Sequence, residues 1–225
     1  MPHETVPSAA IPDPSPSMAS SCLRGVLGCG GAALVGVLVL VIALAWRSTT
    51  DYDRVAPEEM ANRALHRSQD AYEVMGFERT IPPGVEKLGV STANTFGSSF
   101  CYDGGLLGLD AKTVEGAYSM SHDWALDHVP ASQAVPGFRR LHQFLKDKGW
   151  KVTSYGEGEQ SRDWWLFVQR DGGAERMSFT WYADREYVRG GASMPCAYDP
   201  QWKHGDPGPA WDHQRPPAFG PARRN

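Results

Sequence analysis

The run Gly25–Trp46, GVLGCGGAALVGVLVLVIALAW, constrains this chain more than any other feature, because its 22 consecutive residues carry no charge. A helix of that length reaches roughly 33 Å, against about 30 Å for the hydrocarbon core of a bilayer. Helices packed in a soluble core rarely stay apolar on every side for so many turns. Arg24 and Arg47 bracket the run, and Trp46 stands where interfacial aromatics are favoured. The run reads as a transmembrane helix over 25–46, with the lipid bilayer as its partner.

Two other readings compete for the same residues. Ala43-Leu44-Ala45 is a small-residue cleavage site, so a signal peptidase acting after Ala45 would release a secreted protein. Against this, the stretch is longer than the roughly 7–15 apolar residues of a signal peptide, and Arg24 is the only positive charge before it. A lipoprotein reading at Cys29 fails on order, since a lipobox ends an apolar stretch and Cys29 lies near the start of this one.

Orientation rests on charge and on cysteine placement, which disagree. Arg47, Arg54 and Arg63 follow the span while only Arg24 precedes it, which by count alone puts the C-terminal part inside. That rule weakens for large domains, which translocate largely regardless of charge. Cys101 and Cys196 lie near opposite ends of the remaining sequence and read as a disulfide formed in an oxidising compartment. The expected location is therefore the cell membrane, with the C-terminal domain outside the cytoplasm.

The 225 residues suit one domain or two. A net charge of -4 is too mild for a nucleic-acid partner, which calls for a basic face. Residues 1–24 read as a disordered tail, with five Pro and five Ser in residues 1–21 and no apolar period. A linker over 47–56 leads to a domain over 57–199. Residues 200–225, with six Pro, read as a second disordered tail in which Trp202, Trp211 and Phe219 are scattered, although these aromatics could rest on the domain.

Within 57–199 the fold class expected is α+β: an N-terminal helix, then a small β-α-β-β-β domain with an antiparallel sheet and one packed helix. Pro57-Glu58-Glu59 begins the first helix and Gly76 ends it, with Ala61, Leu65, Ser68, Tyr72 and Met75 as its packing stripe. Residues 78–113 are rich in Gly, Pro and Ser and give only a short strand near Cys101. From Val114 to Leu126 the chain alternates with period two, as a half-buried strand does. A helix over 136–148 follows, then strands near 150–155, 163–170, 175–184 and 187–192.

A hairpin turns at Asp171-Gly172-Gly173. A two-residue loop at Gly172-Gly173 pairs Trp164 with Trp181, Leu166 with Phe179 and Val168 with Met177, giving one wholly apolar face. That register leaves Trp165 and Phe167 on the other face, beside Thr180 and Ser178. A register one residue longer would strand Leu166 and Val168 outside, so the first is preferred.

No strong catalytic motif is present: the sequence holds no HExxH, GxSxG, P-loop or CxxC. Asp123 and Asp127 would sit roughly 13 Å apart along a strand, too far for a glycosidase pair. His122 points with Trp124 and reads as a core histidine, and His122 and His128 are too far apart to share a metal. No metal or cofactor site is expected. Exposed aromatics Trp165, Phe167 and Tyr182 form the possible binding surface, for a glycan or an envelope protein. The competing reading has the first helix covering that face.

The layout of Pro/Ser-rich tail, one apolar span and a cysteine-paired α+β domain, in an Ala/Gly/Arg/Pro-rich composition, resembles small actinobacterial envelope proteins. The resemblance implies an envelope-anchored domain and transfers no functional residues. The expected function is a binding or structural protein without catalytic activity, with a cell-wall-acting hydrolase as the alternative.

Overall fold

The computed structural model describes residues 36–39, 51–87, 91–103, 112–206 and 215–221. The chain divides into two compact units, Met1–Arg47 and Ser48–Asn225. In the first, residues 36–39 are helical with Val37, Leu38 and Val39 exposed. No helix among the described residues is long and apolar enough to cross a membrane. The transmembrane helix expected over 25–46 is therefore not supported, and most of that run lies outside the described residues.

The second unit begins its regular structure with α1 (Pro57–Met75), β1 (Gly84–Val85), β2 (Ala93–Asp103) and β3 (Lys112–Leu126). After α2 (Ala131–Asp147) come β4 (Lys151–Glu157), β5 (Trp164–Arg170), β6 (Glu175–Tyr182), β7 (Tyr187–Ser193) and β8 (Ala197–Tyr198). These form one eight-stranded sheet in the order β1-β2-β3-β7-β6-β5-β4, with β8 paired to β3 beyond the end of β7. Every pairing is antiparallel. The small β-α-β-β-β domain is thus corrected to a mostly antiparallel sheet with few helices. Part of the difference is β2, eleven residues long where only a short strand near Cys101 was expected, because Asn94, Gly97, Ser98 and Ser99 interrupt its strand-favouring residues. Its order comes from ladder pairing with β3 along nearly its whole length.

Local chemistry explains both helices. α1 has Pro57 in its first turn with Glu58 and Glu59, and ends where Gly76 takes φ +77° so that Gly76 and Phe77 cap the carbonyls of Glu73 and Tyr72. All five residues of its expected stripe are buried. α2 starts five residues earlier than its sequence pattern suggests, with Pro136 inside it. Gly137 earns that position sterically: an added Cβ would lie 2.9 Å from the Met75 carbonyl, so only glycine lets α2 approach the end of α1.

The β5–β6 hairpin has the expected register: Trp164 faces Trp181, Leu166 faces Phe179 and Val168 faces Met177. The loop is four residues rather than two, since Arg170 pairs with Glu175 across a 3₁₀ turn at Asp171–Gly173.

Both helices pack on one face of the sheet. Tyr72 of α1 meets Trp124 edge-on with ring centroids 5.1 Å apart, and His142 of α2 stacks on Tyr155 at 4.0 Å. Trp124, Gly190, Phe179, Leu166 and Tyr155 lie in one row across β3, β7, β6, β5 and β4. Phe219 completes this core. Residues 215–221, which composition assigned to a tail, lay Phe219 against Tyr72 and Trp124 and hydrogen-bond its backbone to Ile81 in both directions. Cys101 and Cys196 are joined in a disulfide, with Cα atoms 6.0 Å apart.

Candidate functional site

The face opposite the helices carries the expected aromatics. Strand alternation puts Trp165, Phe167 and Gln169 of β5 there, opposite Thr180, Ser178 and Arg176 of β6. The rows continue across β7 and β3 through Arg189 to Ala125, through Gly191 to Asp123 and through Ser193 to Ser121. Neither helix covers this face, so the competing reading, in which α1 lies over it, is corrected. Tyr72, Leu65 and Met75 of α1 belong to the core on the other side.

Trp165 is half-buried and held in place. Its indole Nε1 donates to Ser154 Oγ at 2.8 Å, and its ring leans over Gly156, where an added Cβ would lie 3.3 Å from Cζ2. Phe167, two positions along, is 39% exposed. Tyr182 stands on the same face but further along β6, where its ring lies 6.2 Å from that of Tyr187 and beneath the Arg185 guanidinium, 4.3 Å away. Trp165 and Phe167 therefore form one pair of rings, with Tyr182 in a neighbouring cluster. Between them and β3 the surface is polar, with Ser178, Thr180, Ser193, Ser121 and Asp123 outward alongside the exposed Arg176 and Arg189. Fixed rings beside hydroxyls can stack on an apolar ring face while hydrogen-bonding its edge.

The candidates for acid–base chemistry take other roles. Asp123 is exposed, whereas Asp127 lies past the end of β3 and is held by Arg79 at 2.9 Å. Burial alone would raise the Asp127 pKa, but hydrogen bonds from Arg79 and His128 outweigh it and leave the carboxyl below its usual range. His122 is fully buried beside Phe96 and Phe219. Its Nε2 lies 2.9 Å from Asn94 Oδ1, while Asn94 Nδ2 donates to the carbonyls of Ile81 and Pro217. Because the Asn94 amide N–H groups are committed to carbonyls, Oδ1 accepts and Nε2 carries the proton. The other nitrogen, Nδ1, has no hydrogen-bond partner among the described residues. His122 and Asn94 thus tie residue 217 to β2 and β3, a structural role that the sequence signals only through alternation.

Burial lowers the His122 pKa from 6.5 to about 4. The folded form therefore binds its proton less readily than the unfolded chain. Its contribution to stability is complete above about pH 6.5 and falls as pH drops toward 4, by an amount on the order of 3 kcal/mol over that window. Urea midpoints at pH 7.5 and 4.5 should differ accordingly in the parent protein. His122→Gln, which keeps a donor for Asn94, should shrink the difference.

Among the described residues no group of three or more His, Cys, Asp or Glu side chains is placed to hold a metal ion. No protein-family model, curated protein or solved structure matches this chain.

Proposed function

We propose that the second unit is an extracytoplasmic binding domain whose open sheet face takes a glycan, with Trp165 and Phe167 as the stacking platform. The observation that carries this reading is the Trp165–Phe167 pair: two large aromatic side chains on the face that neither helix covers, one of them pinned to Ser154, with Ser178 and Thr180 beside them. A preset ring loses little conformational freedom when a ligand arrives. The surrounding Ser and Thr suit a polyhydroxylated ligand better than an apolar protein surface. The Cys101–Cys196 bond supports a site outside the cytoplasm, because oxidised pairs persist there and are rare in the reducing interior.

Titration calorimetry of the full chain with glucan, galactan and N-acetylglucosamine oligomers tests this. Saturable binding to one class is expected, weakened roughly five- to tenfold by Phe167→Ala and by a similar factor again on adding Trp165→Ala, each ring contributing about 1–1.5 kcal/mol. Melting temperature should change little for Phe167→Ala, whose side chain is already partly in water. Binding that survives the double substitution, or a collapse in melting temperature with no loss of binding, overturns the assignment. Capture of a protein instead of a glycan by this face would also overturn it.

A further inference from the structure

On the opposite, helix-bearing side, a cleft opens between α1 and the β5–β6 turn. Helical spacing sets Arg63, His66, Arg67 and Asp70 of α1 along one stripe at i, i+3, i+4 and i+7. Across from them stands Glu175, whose side chain is only 5% exposed. Arg67 Nε donates to its Oε1 at 2.8 Å, and Arg170 donates to its Oε2 through Nε at 2.5 Å and also through Nη2. One buried carboxylate thus serves two guanidinium groups, which leaves this triad with a formal charge of +1. Trp150 backs the Arg170 guanidinium at 4.7 Å, which further limits its rotation.

The two arginines remain 39% and 30% exposed, and both line the space on either side of them. The larger cavity, about 440 Å³, has Arg63, His66, Arg67 and Arg170 on its walls with Met60 and Met194 as apolar floor. That volume is within the range for small-molecule sites. Two acids face it, Glu175 and Asp171, the latter 3.7 Å from Arg170. Arg63 is otherwise engaged by Glu59 in an exposed pair one helical turn away, a contact weak enough for a ligand to displace. On the far side of the arginines, the smaller cavity adds Lys148 and Asp70.

We infer that this cleft binds a small molecule through an oxyanion group, phosphate or carboxylate, with its apolar part against Met60 and Met194. Glu175 is the positioning residue: it engages Nε of each arginine and Nη2 of Arg170, and leaves Nη1 of Arg170 and both terminal nitrogens of Arg67 for the ligand. A planar fork with its inner edge already fixed suits recognition of an oxyanion by charge-assisted hydrogen bonds. The site is independent of the open-face reading, since it lies on the other side of the sheet.

The test is calorimetry and thermal shift on the full chain with inorganic phosphate, a phenyl phosphate monoester and phenylacetate. Saturable binding of at least one probe is expected, tighter for those with the ring than for inorganic phosphate and weaker as salt rises. The aromatic probes separate phosphate from carboxylate preference. Arg63→Gln combined with His66→Gln leaves the Glu175 pairs intact and should weaken binding roughly tenfold at an unchanged melting temperature. Arg67→Gln, which keeps the Arg170–Glu175 pair, should weaken it as much or more. No saturable binding of any probe by the parent protein overturns the inference, as does binding that both variants retain.

Discussion

Reducing the Cys101–Cys196 bond is expected to lower stability by about 4–5 kcal/mol and the melting temperature by roughly 10–20 °C. The size follows from the loop it closes: a sequence separation of 95 residues removes, in the chain-entropy account, more freedom from the unfolded chain than a short loop would. The folded state also depends on where the bond falls. Cys101 lies near the end of β2, and Cys196 lies between β7 and β8, just before Tyr198 exchanges backbone hydrogen bonds with Asp53 and Val55. Reduction removes the covalent link between β2 and the segment that docks the start of the unit, leaving each to its backbone hydrogen bonds. Thermal melts of oxidised and reduced protein, with Cys101→Ala/Cys196→Ala as a control, measure the effect. Equal melting temperatures in the two redox states would show that the pairing contributes nothing.

The second large effect is expected at Gly190. This residue lies opposite Trp124 on β3, and the indole ring occupies the space a side chain would need: an added Cβ would stand 2.3 Å from Trp124 Cζ2 and 2.4 Å from Cε2. The ring has no ready retreat. Tyr72, Phe77, Phe179 and Phe219 surround it with centroids 5.1, 6.1, 6.4 and 5.7 Å away. Gly190→Ala should therefore cost about 3 kcal/mol, at the upper end for overpacking, and Gly190→Val should leave little folded protein. Chemical denaturation measures the first, and near-ultraviolet circular dichroism reports whether Trp124 has moved. By contrast Gly172→Ala meets no atom within 4 Å, so any cost there comes only from its φ of +68°.

Gly190 also marks where one-dimensional reading stops. The alternation in β3 and β6 was visible because each has one apolar side, whereas β5 is apolar on both, and only its regular pairing with β6 puts Leu166 beside Phe179. That same regularity separated Trp165 and Phe167 from the core before any coordinates. The hairpin register was legible because the alternative would have exposed Leu166 and Val168. By contrast the strand expected over 187–192 gave no reason for two glycines inside it, and only the Trp124 ring supplies one for Gly190.

The cleft around Glu175 was invisible for a different cause. Arg63 and Arg67 look like solvent-facing charges on an amphipathic helix, and Glu175 opens a strand more than a hundred positions away. Their meeting depends on α1 lying across the sheet, a packing decision that no local pattern encodes. Phe219 is a similar case: an aromatic in a Pro-rich tail can rest on the domain, but nothing local says that it fills the space between Tyr72, Trp124 and His122.

Local interactions thus determined the start and stop of α1, the faces of β3, β5 and β6, and the paired cysteines, because each depends on periodicity, on capping by a few neighbours or on the simple count of thiols. Tertiary structure alone decided the eight-stranded extent of the sheet, the side on which the helices lie and the docking of residues 215–221. Those outcomes require groups distant in the chain to exclude water together. β2 makes the difference plain: only its end near Cys101 was legible as a strand, and its full eleven residues are one because β3 offers a ladder.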